Sequence, residues 1–309
     1  MKTKFTKCLA ATLVAILFIV AAPHIALATT ISISGSGPFN VPAGTTATIT
    51  GDITGTITVN GGTLILNANH EINGTVNVNS GSFYMSSGTI TGAGTRGVTI
   101  TGHTSKFEMS GGIITGNTFA RGAGVYAQRG ASFYMLAGSG PAPKIINNHS
   151  PTDGGGVMLA YDEQHYTGDG TRTTFVMEAG IIYGNTASMP TPEGGGGVRV
   201  IGASTFIMRG GTIDNNTASH GGGVSIAQAN HLINNHPTFY MYGGYIINNS
   251  ATSHGGGIRS GINSTVHIHG GTIRGNTAQG DGGGAFVSGT NISFKGVLKN
   301  SPSDCQKMI

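Results

Sequence analysis

A repeated unit dominates this 309-residue chain and limits the folds that the chain can adopt. The clearest copy runs from Phe206 to Val224 and reads Phe-Ile-Met-Arg-Gly-Gly-Thr-Ile-Asp-Asn-Asn-Thr-Ala-Ser-His-Gly-Gly-Gly-Val. Repeats of this size are typical of solenoids, in which each unit buries its apolar face only against its neighbours. The first position of the successive copies is occupied by Phe83, Phe107, Phe133, Phe175, Phe206, Phe239 and Val266.

Each copy contains three segments that predict short β-strands. A Met or Ile follows the first residue by two positions, so both side chains lie on the same face of a strand and point inward. A Gly-x-Ile step predicts a second strand after a bend, and Gly-Gly-Gly-Val begins a third. Helical periodicity is absent after residue 28. The pattern therefore predicts an all-β, right-handed parallel β-helix with three short strands per turn, about ten turns and roughly 50 Å long.

Asparagines and glycines recur at fixed places in the unit. Stacked turns would bring equivalent asparagines to about 4.8 Å from each other, so we expect a column of amides bonded along the stack. We also expect these asparagines at a corner, where Asn tolerates a left-handed backbone. The predicted ladder consists of Asn117, Asn185, Asn216, Asn249 and Asn276. Glycines that enter positive φ are predicted at Gly122, Gly154, Gly195, Gly221, Gly255 and Gly282.

The Gly-Gly-Gly-Val and Ile-x-x-Asn steps resemble the Gly-Gly-Ala-Ile and Phe-x-x-Asn signatures of the polymorphic outer membrane proteins. They are also similar to repeats of other bacterial surface proteins with right-handed parallel β-helices. The resemblance covers roughly residues 83 to 287 and departs from the family in placing Ile before x-x-Asn, as at Ile114 and Ile273. It implies a β-helical surface protein that is often adhesive.

Residues 1–28 have the composition of a secretory signal peptide. Three lysines precede an apolar run from Leu9 to Ala22, and Ala26-Leu27-Ala28 is a small-x-small cleavage site. A transmembrane helix is the alternative, but the apolar run is short and Pro23 follows it. Cleavage would leave thirteen basic and twelve acidic residues, a net charge of +1, so no basic face for nucleic acid is predicted. We expect a secreted or cell-surface protein with no transmembrane segment in the mature chain.

The mature chain is predicted to form one domain with three regions. Residues 29–82 are rich in Thr, Ile and Val and predict a tighter start to the helix, with Ile31 to Pro42 as an N-terminal cap. Residues 83–290 carry the main repeats. Residues 291–309 begin another turn and then leave the pattern, which predicts an irregular or truncated tail.

Four insertions interrupt the repeats, at residues 140–144, 158–172, 188–193 and 227–237. The second and the fourth follow the Gly-Gly-Gly-Val strand, so we expect them to leave the solenoid on the same side. Loops on a rigid scaffold often carry function, although insertions at solenoid corners are also simply tolerated.

Two groups of outward side chains are candidates for binding. Tyr240, Tyr242, His267 and His269 predict an aromatic and imidazole patch suited to sugar rings or a protein partner. The alternative is cross-strand pairing that stiffens the sheet.

The residues that precede the last glycine clusters form the second group. His220, His254 and Asp281 lie on consecutive turns and predict a possible metal site. The alternative for these residues is a row of solvated corner side chains. No cofactor is expected.

The sequence contains no pattern that identifies catalytic residues. Sugar cleavage needs paired carboxylates or acidic calcium ligands, and Asp162, Glu163 and Asp169 all lie in one insertion. Ice binding by the Thr-rich strands is a further alternative, but the Thr-x-Thr steps do not keep a constant frame. We expect a non-enzymatic, adhesin-like or structural surface protein whose partner is a glycan or a protein surface. The alternative is a polysaccharide lyase or glycoside hydrolase of the pectin-lyase-like β-helix type.

Overall fold

The computed structural model describes residues 29–160, 171–190, 194–227, 236–288, 291–294 and 305–307. In this part of the chain all regular secondary structure is β, and all strand pairs are parallel. Twenty-six strands belong to one sheet that winds along the molecule, and five short strands form a second sheet. The chain is thus a parallel β-helix, as the repeat predicts.

The first coils consist of long strands that bend at glycines. Their bounds are β1 Thr29–Ser36, β2 Phe39–Pro42, β3 Thr45–Leu66 and β4 Glu71–Met85. Thr29 pairs with Thr45, whereas Phe83 pairs with Phe107, so the first coils are shorter. The prediction of a tighter start is confirmed. Ile31 to Pro42, predicted as an N-terminal cap, lies in β1 and β2, which pair in parallel with β3 and form the first coil.

The later coils contain four ladders of short strands. The first, which we call the phenylalanine ladder, consists of β7 Ser105–Met109, β10 Ser132–Met135, β14 Thr173–Met177, β18 Ser204–Met208, β22 Thr238–Met241, β26 Thr265–Ile268 and β30 Asn291–Phe294. The isoleucine ladder consists of β5 Thr89–Thr91, β8 Ile113–Thr115, β11 Lys144–Ile146, β15 Ile181–Tyr183, β19 Thr212–Asp214, β23 Tyr245–Ile247 and β27 Thr272–Arg274.

The glycine-strand ladder consists of β6 Val98–Thr101, β9 Val125–Gln128, β13 Val157–Leu159, β17 Val198–Val200, β21 Val224–Ile226, β25 Ile258–Ser260, β29 Ala285–Val287 and β31 Cys305–Lys307. The fourth ladder was not predicted, and it consists of β12 His149–Ser150, β16 Thr186–Ala187, β20 Thr217–Ala218, β24 Ser250–Ala251 and β28 Thr277–Ala278. Cys305 pairs with Ala285, and most of the tail that was expected to leave the pattern, residues 295–304 and 308–309, lies outside the described residues.

The core is a set of columns of identical side chains. Phe83 stacks on Phe107 with ring centroids 4.8 Å apart and planes 6° from parallel, and this geometry continues to Phe239. The Met and Ile columns beside it are also fully buried. Face-to-face stacking at one strand spacing leaves no gap between coils, so the predicted register is confirmed.

A ladder of buried asparagines closes the isoleucine corner. In each step the backbone N–H and the Nδ2 group of one Asn donate to Oδ1 of the Asn on the next coil. Asn216 donates in this way to Asn249 at 2.9 and 3.0 Å. The five predicted members are present, and the structure adds Asn148 between Asn117 and Asn185.

The left-handed backbone lies one residue before the ladder position, contrary to the prediction. The residues there have φ values of 54° to 67° and are Gly116, Asn147, Gly184, Asn215, Asn248 and Gly275. The ladder side chain itself points into the core, where it bonds to backbone carbonyls as well as to its neighbours. The predicted positive φ of the first glycine in each cluster is confirmed, with φ +60° at Gly221 and +68° at Gly255.

Candidate functional site

The predicted aromatic patch forms on the outer face of strands β22 and β26. Because side chains alternate along a strand, the buried Phe239 and Met241 leave Tyr240 and Tyr242 on the outside. The parallel register then places Tyr240 beside His267. His269 follows two residues later on the same face, so four rings form a two-by-two array, which we call the platform.

The rings of the platform stack along the solenoid axis. The centroids of Tyr240 and His267 are 5.0 Å apart with planes 15° from parallel, and those of Tyr242 and His269 are 4.9 Å apart at 9°. Nearly parallel rings this close together must lie face to face, because coplanar rings would collide at their edges. The faces therefore cover each other, and the platform presents ring edges and their polar atoms to solvent.

The platform is accessible and has polar groups free for a ligand. Tyr242 is 50% exposed and His269 is exposed, whereas Tyr240 and His267 are half-buried. Within the described part of the chain, no hydrogen bond occupies the two hydroxyls or the imidazole nitrogens. Phenol and imidazole edges at fixed spacing can donate to or accept from hydroxyl and amide groups of a partner.

Charged residues continue the outer column of the platform towards the N-terminus. Arg209 lies one coil before Tyr242, because Tyr242 N donates to the carbonyl of Met208. Arg209 Nη1 is 3.4 Å from Glu178 Oε1, and both side chains are about half exposed, at 55% and 47%. This exposed ion pair contributes little to stability, so both groups are available to a ligand.

The N-terminal part of the same face differs, because its polar groups bond to each other. Lys106 Nζ lies 3.0 Å from Glu108 Oε1 and 4.8 Å from the ring centroid of Tyr84. The hydrogen bond to Tyr84 raises the pKa of Lys106, with a smaller contribution from Glu108. These contacts satisfy the local charges within the protein, which sets this cluster apart from the platform.

The second predicted group, His220, His254 and Asp281, does stack on consecutive coils. The rings of His220 and His254 are 5.6 Å apart, and Asp281 N donates to His254 Nδ1 at 3.0 Å. The His254 ring also packs on Phe286 at 4.6 Å. Among the residues that the structure describes, no three His, Cys, Asp or Glu side chains form a group that could hold a metal ion. The predicted metal site is therefore not formed by these three residues.

An ion cluster with two buried members, Asp153 and Arg199, and one exposed member, Arg121, lies farther towards the N-terminus. Asp153 is 3% exposed, and its carboxylate oxygens lie 3.7 Å from Arg121 Nε and 3.9 Å from Arg199 Nε. Arg199 is also 3% exposed and donates to Ser225 Oγ at 2.7 Å. Arg121 and Asp153 precede glycine clusters, as His220 and His254 do, whereas Arg199 lies on β17. None of the three residues of this cluster is among the predicted site residues. The mutual contacts indicate a structural role.

The described ends of the second and fourth insertions lie close together, while residues 161–170 and 228–235 lie outside the described residues. Arg172 ends the second insertion, and its Nη2 donates to the carbonyl of His236, near the end of the fourth, at 2.6 Å. Arg172 also bonds to Ser204 and Thr205 on the coil between them. The three carboxylates considered for sugar cleavage, Asp162, Glu163 and Asp169, lie outside the described residues.

Comparison with known proteins identifies no relative of this chain. No protein-family model, no curated protein and no solved structure matches this chain. In the described ranges, which begin at residue 29, no helix has the length and apolar character needed to cross a membrane. The function must therefore be argued from the geometry of the site.

Proposed function

We propose that this protein is a non-enzymatic, adhesin-like surface or secreted protein that binds its partner through the platform. The observation that carries the proposal is the array of four outward rings, Tyr240, Tyr242, His267 and His269, held in stacked pairs 4.9 and 5.0 Å apart. Rings fixed in this way lose little entropy on binding, which favours recognition of a surface.

Export is part of the proposal and rests on the sequence. Residues 1–28 have the basic start, apolar run and cleavage site of a signal peptide, and they lie outside the described residues. The resemblance of the repeats to those of polymorphic outer membrane proteins supports a location at the cell surface. Detection of the chain in the medium or on intact cells, with Thr29 at its N-terminus, would test this part.

The binding role is tested with the whole secreted chain on an array of glycans and immobilised proteins. Replacing the four platform residues by Ala should reduce binding at least tenfold, because truncated aromatic anchors commonly cost more than 1 kcal/mol each. The β-type circular dichroism should not change, because all four side chains lie outside the core. Unchanged binding by the folded variant would disprove the role of the platform.

The same preparation tests the enzymatic alternative. Acidic polysaccharides are incubated with the protein, with and without calcium, and new unsaturated or reducing ends are measured. Cleavage would replace the proposal with a lyase or hydrolase and direct attention to the insertion that contains Asp162, Glu163 and Asp169. Binding without cleavage supports the adhesin-like role.

A further inference from the structure

We propose that the ligand of the platform is an uncharged, extended β-1,4-linked glycan that lies along the solenoid axis with one sugar unit per coil. This inference rests on the proposed function and specifies its ligand class. It starts from a column of exposed polar side chains, which we call the axial strip. The strip consists of Glu178, Arg209, Tyr242 and His269.

Backbone hydrogen bonds hold the members of the strip in register. The N–H groups of Arg209, Tyr242 and His269 donate to the carbonyls of the preceding coil, at 2.8, 2.8 and 2.7 Å. Each member therefore lies one strand spacing, about 4.8 Å, from the next. A sugar unit in an extended β-1,4-linked chain advances by nearly the same distance. An α-1,4-linked chain coils and cannot keep this alignment.

The orientation of the rings determines how such a chain would be recognised. Since Tyr242 and His269 cover each other's faces at 4.9 Å, their edges point to the ligand. Edges with a hydroxyl and an imidazole nitrogen form hydrogen bonds to sugar hydroxyls. Arg209 and Glu178 add hydrogen-bonding groups on two more coils, since the guanidinium of Arg209 donates and the carboxylate of Glu178 accepts.

The charge of the strip favours a neutral glycan over an acidic one. Arg209 and Glu178 lie 3.4 Å apart and cancel in charge. A uronic acid chain with one unit per coil would place one carboxylate beside Glu178 and one beside Arg209, so the strip offers it no net electrostatic attraction. Ile207 and Tyr240, half-buried beside the strip, provide an apolar border for the C–H groups of sugar rings.

The test measures the affinity of the whole protein for defined oligosaccharides by calorimetry. The probes are β-1,4-linked glucose and β-1,4-linked N-acetylglucosamine oligomers of one to six units, and α-1,4-linked glucose oligomers of the same lengths. We expect affinity in at least one β-linked series to rise up to four units and then to level off. The α-linked series should bind at least tenfold more weakly.

Two variants within the strip and one control variant outside it assign the binding to the strip. Tyr242→Ala should weaken binding of the β-linked tetramer at least tenfold, and Arg209→Ala should shorten the optimal oligomer. Tyr183→Ala, an exposed tyrosine on the isoleucine ladder, should leave affinity unchanged. Equal affinity for α- and β-linked oligomers, or no dependence on length, would overturn this inference while the platform still binds glycan. If the parent chain and the variant with four Ala substitutions bind equally on the array, the proposed function itself would be overturned.

Discussion

The buried asparagine ladder makes a quantitative prediction about stability. Asn216→Ala removes the Oδ1 that accepts from the backbone N–H and the Nδ2 group of Asn185, both at 2.9 Å. It also removes the donor to the carbonyl of Ile182 at 2.9 Å. Asn216 is fully buried, so water cannot replace these partners. Each unsatisfied buried group costs about 1–3 kcal/mol, and we expect a total loss of about 3–6 kcal/mol.

The neighbouring Asn215 provides a matched control. It is exposed and has φ 56°. Its backbone N–H donates to the carbonyl of Ile247, a bond that a substitution keeps, and its side chain donates to the Tyr183 hydroxyl at 3.3 Å. Asn215→Gly should therefore change stability by no more than about 1 kcal/mol, because glycine adopts positive φ without strain. The two variants change adjacent asparagines, so the difference between their stabilities separates the contribution of the buried ladder from that of the exposed corner.

Chemical denaturation followed by far-UV circular dichroism compares the two variants with the parent chain. Because a solenoid can unfold in segments, amide exchange of the coils on either side of residue 216 should accompany the measurement. We expect faster exchange around Asn185 and Asn249 in the Asn216→Ala protein. A loss below about 1 kcal/mol, with unchanged exchange, would refute the account of the ladder as an essential hydrogen-bond chain.

Two further substitutions test the core and the glycine-strand corner. Ile213→Asp buries a carboxylate without a partner in a fully buried position, and we expect loss of the folded state; native thermal melting would show that the assigned register is wrong. Gly223→Ala would place Cβ 2.6 Å from the carbonyl oxygen of Gly257, so we expect a lower melting temperature. Gly140→Ala is its control, since no atom lies within 4 Å of the added Cβ, and equal melting of the two variants would contradict the packing argument.

The repetitive part of the fold could be predicted because identical residues must stack on each other. The Phe and Met columns and the glycine corners follow from period-two alternation and the positive φ of glycine. The fourth ladder was missed, although Asn-Thr-Ala begins at the ladder asparagine in three coils. Its strands have only two residues, too few for an alternation pattern.

The platform could be predicted only as a set of positions. Alternation indicates which side chains point outward, but ring orientation depends on side-chain packing between coils. Stacking turned the faces of Tyr242 and His269 towards each other and left their edges for a ligand. The predicted metal group failed for a related reason. His254 already accepts a hydrogen bond from the backbone N–H of Asp281 and packs on Phe286. These contacts cannot be inferred from the aligned sequence positions alone.

Asn148, the ladder member that was not predicted, shows what sets the register of a coil. Counting ten residues from Phe133 fails there, because an insertion lengthens the corner before Ile145. Counting three residues from the buried Ile succeeds in every coil of the ladder. The corner residues from 137 to 142 are exposed, while Asn148 remains in the ladder. The ladder and the isoleucine column, and not the length of the corner, therefore define the coil.

This conclusion predicts that the insertion can be removed. Deleting Ser139 to Pro143 would leave Met135-Leu-Ala-Gly-Lys-Ile, which matches Met177-Glu-Ala-Gly-Ile-Ile on the next coil. In the parent chain the Pro143 carbonyl accepts a hydrogen bond from Ile181 N at 2.9 Å, and a glycine carbonyl accepts the equivalent bond in the following coils. Gly138 would take this role in the deletion variant. We expect a folded protein whose stability is within about 1 kcal/mol of the parent, since shortening a surface loop changes closure entropy little. A deletion variant that does not fold would show that the corner itself carries the register.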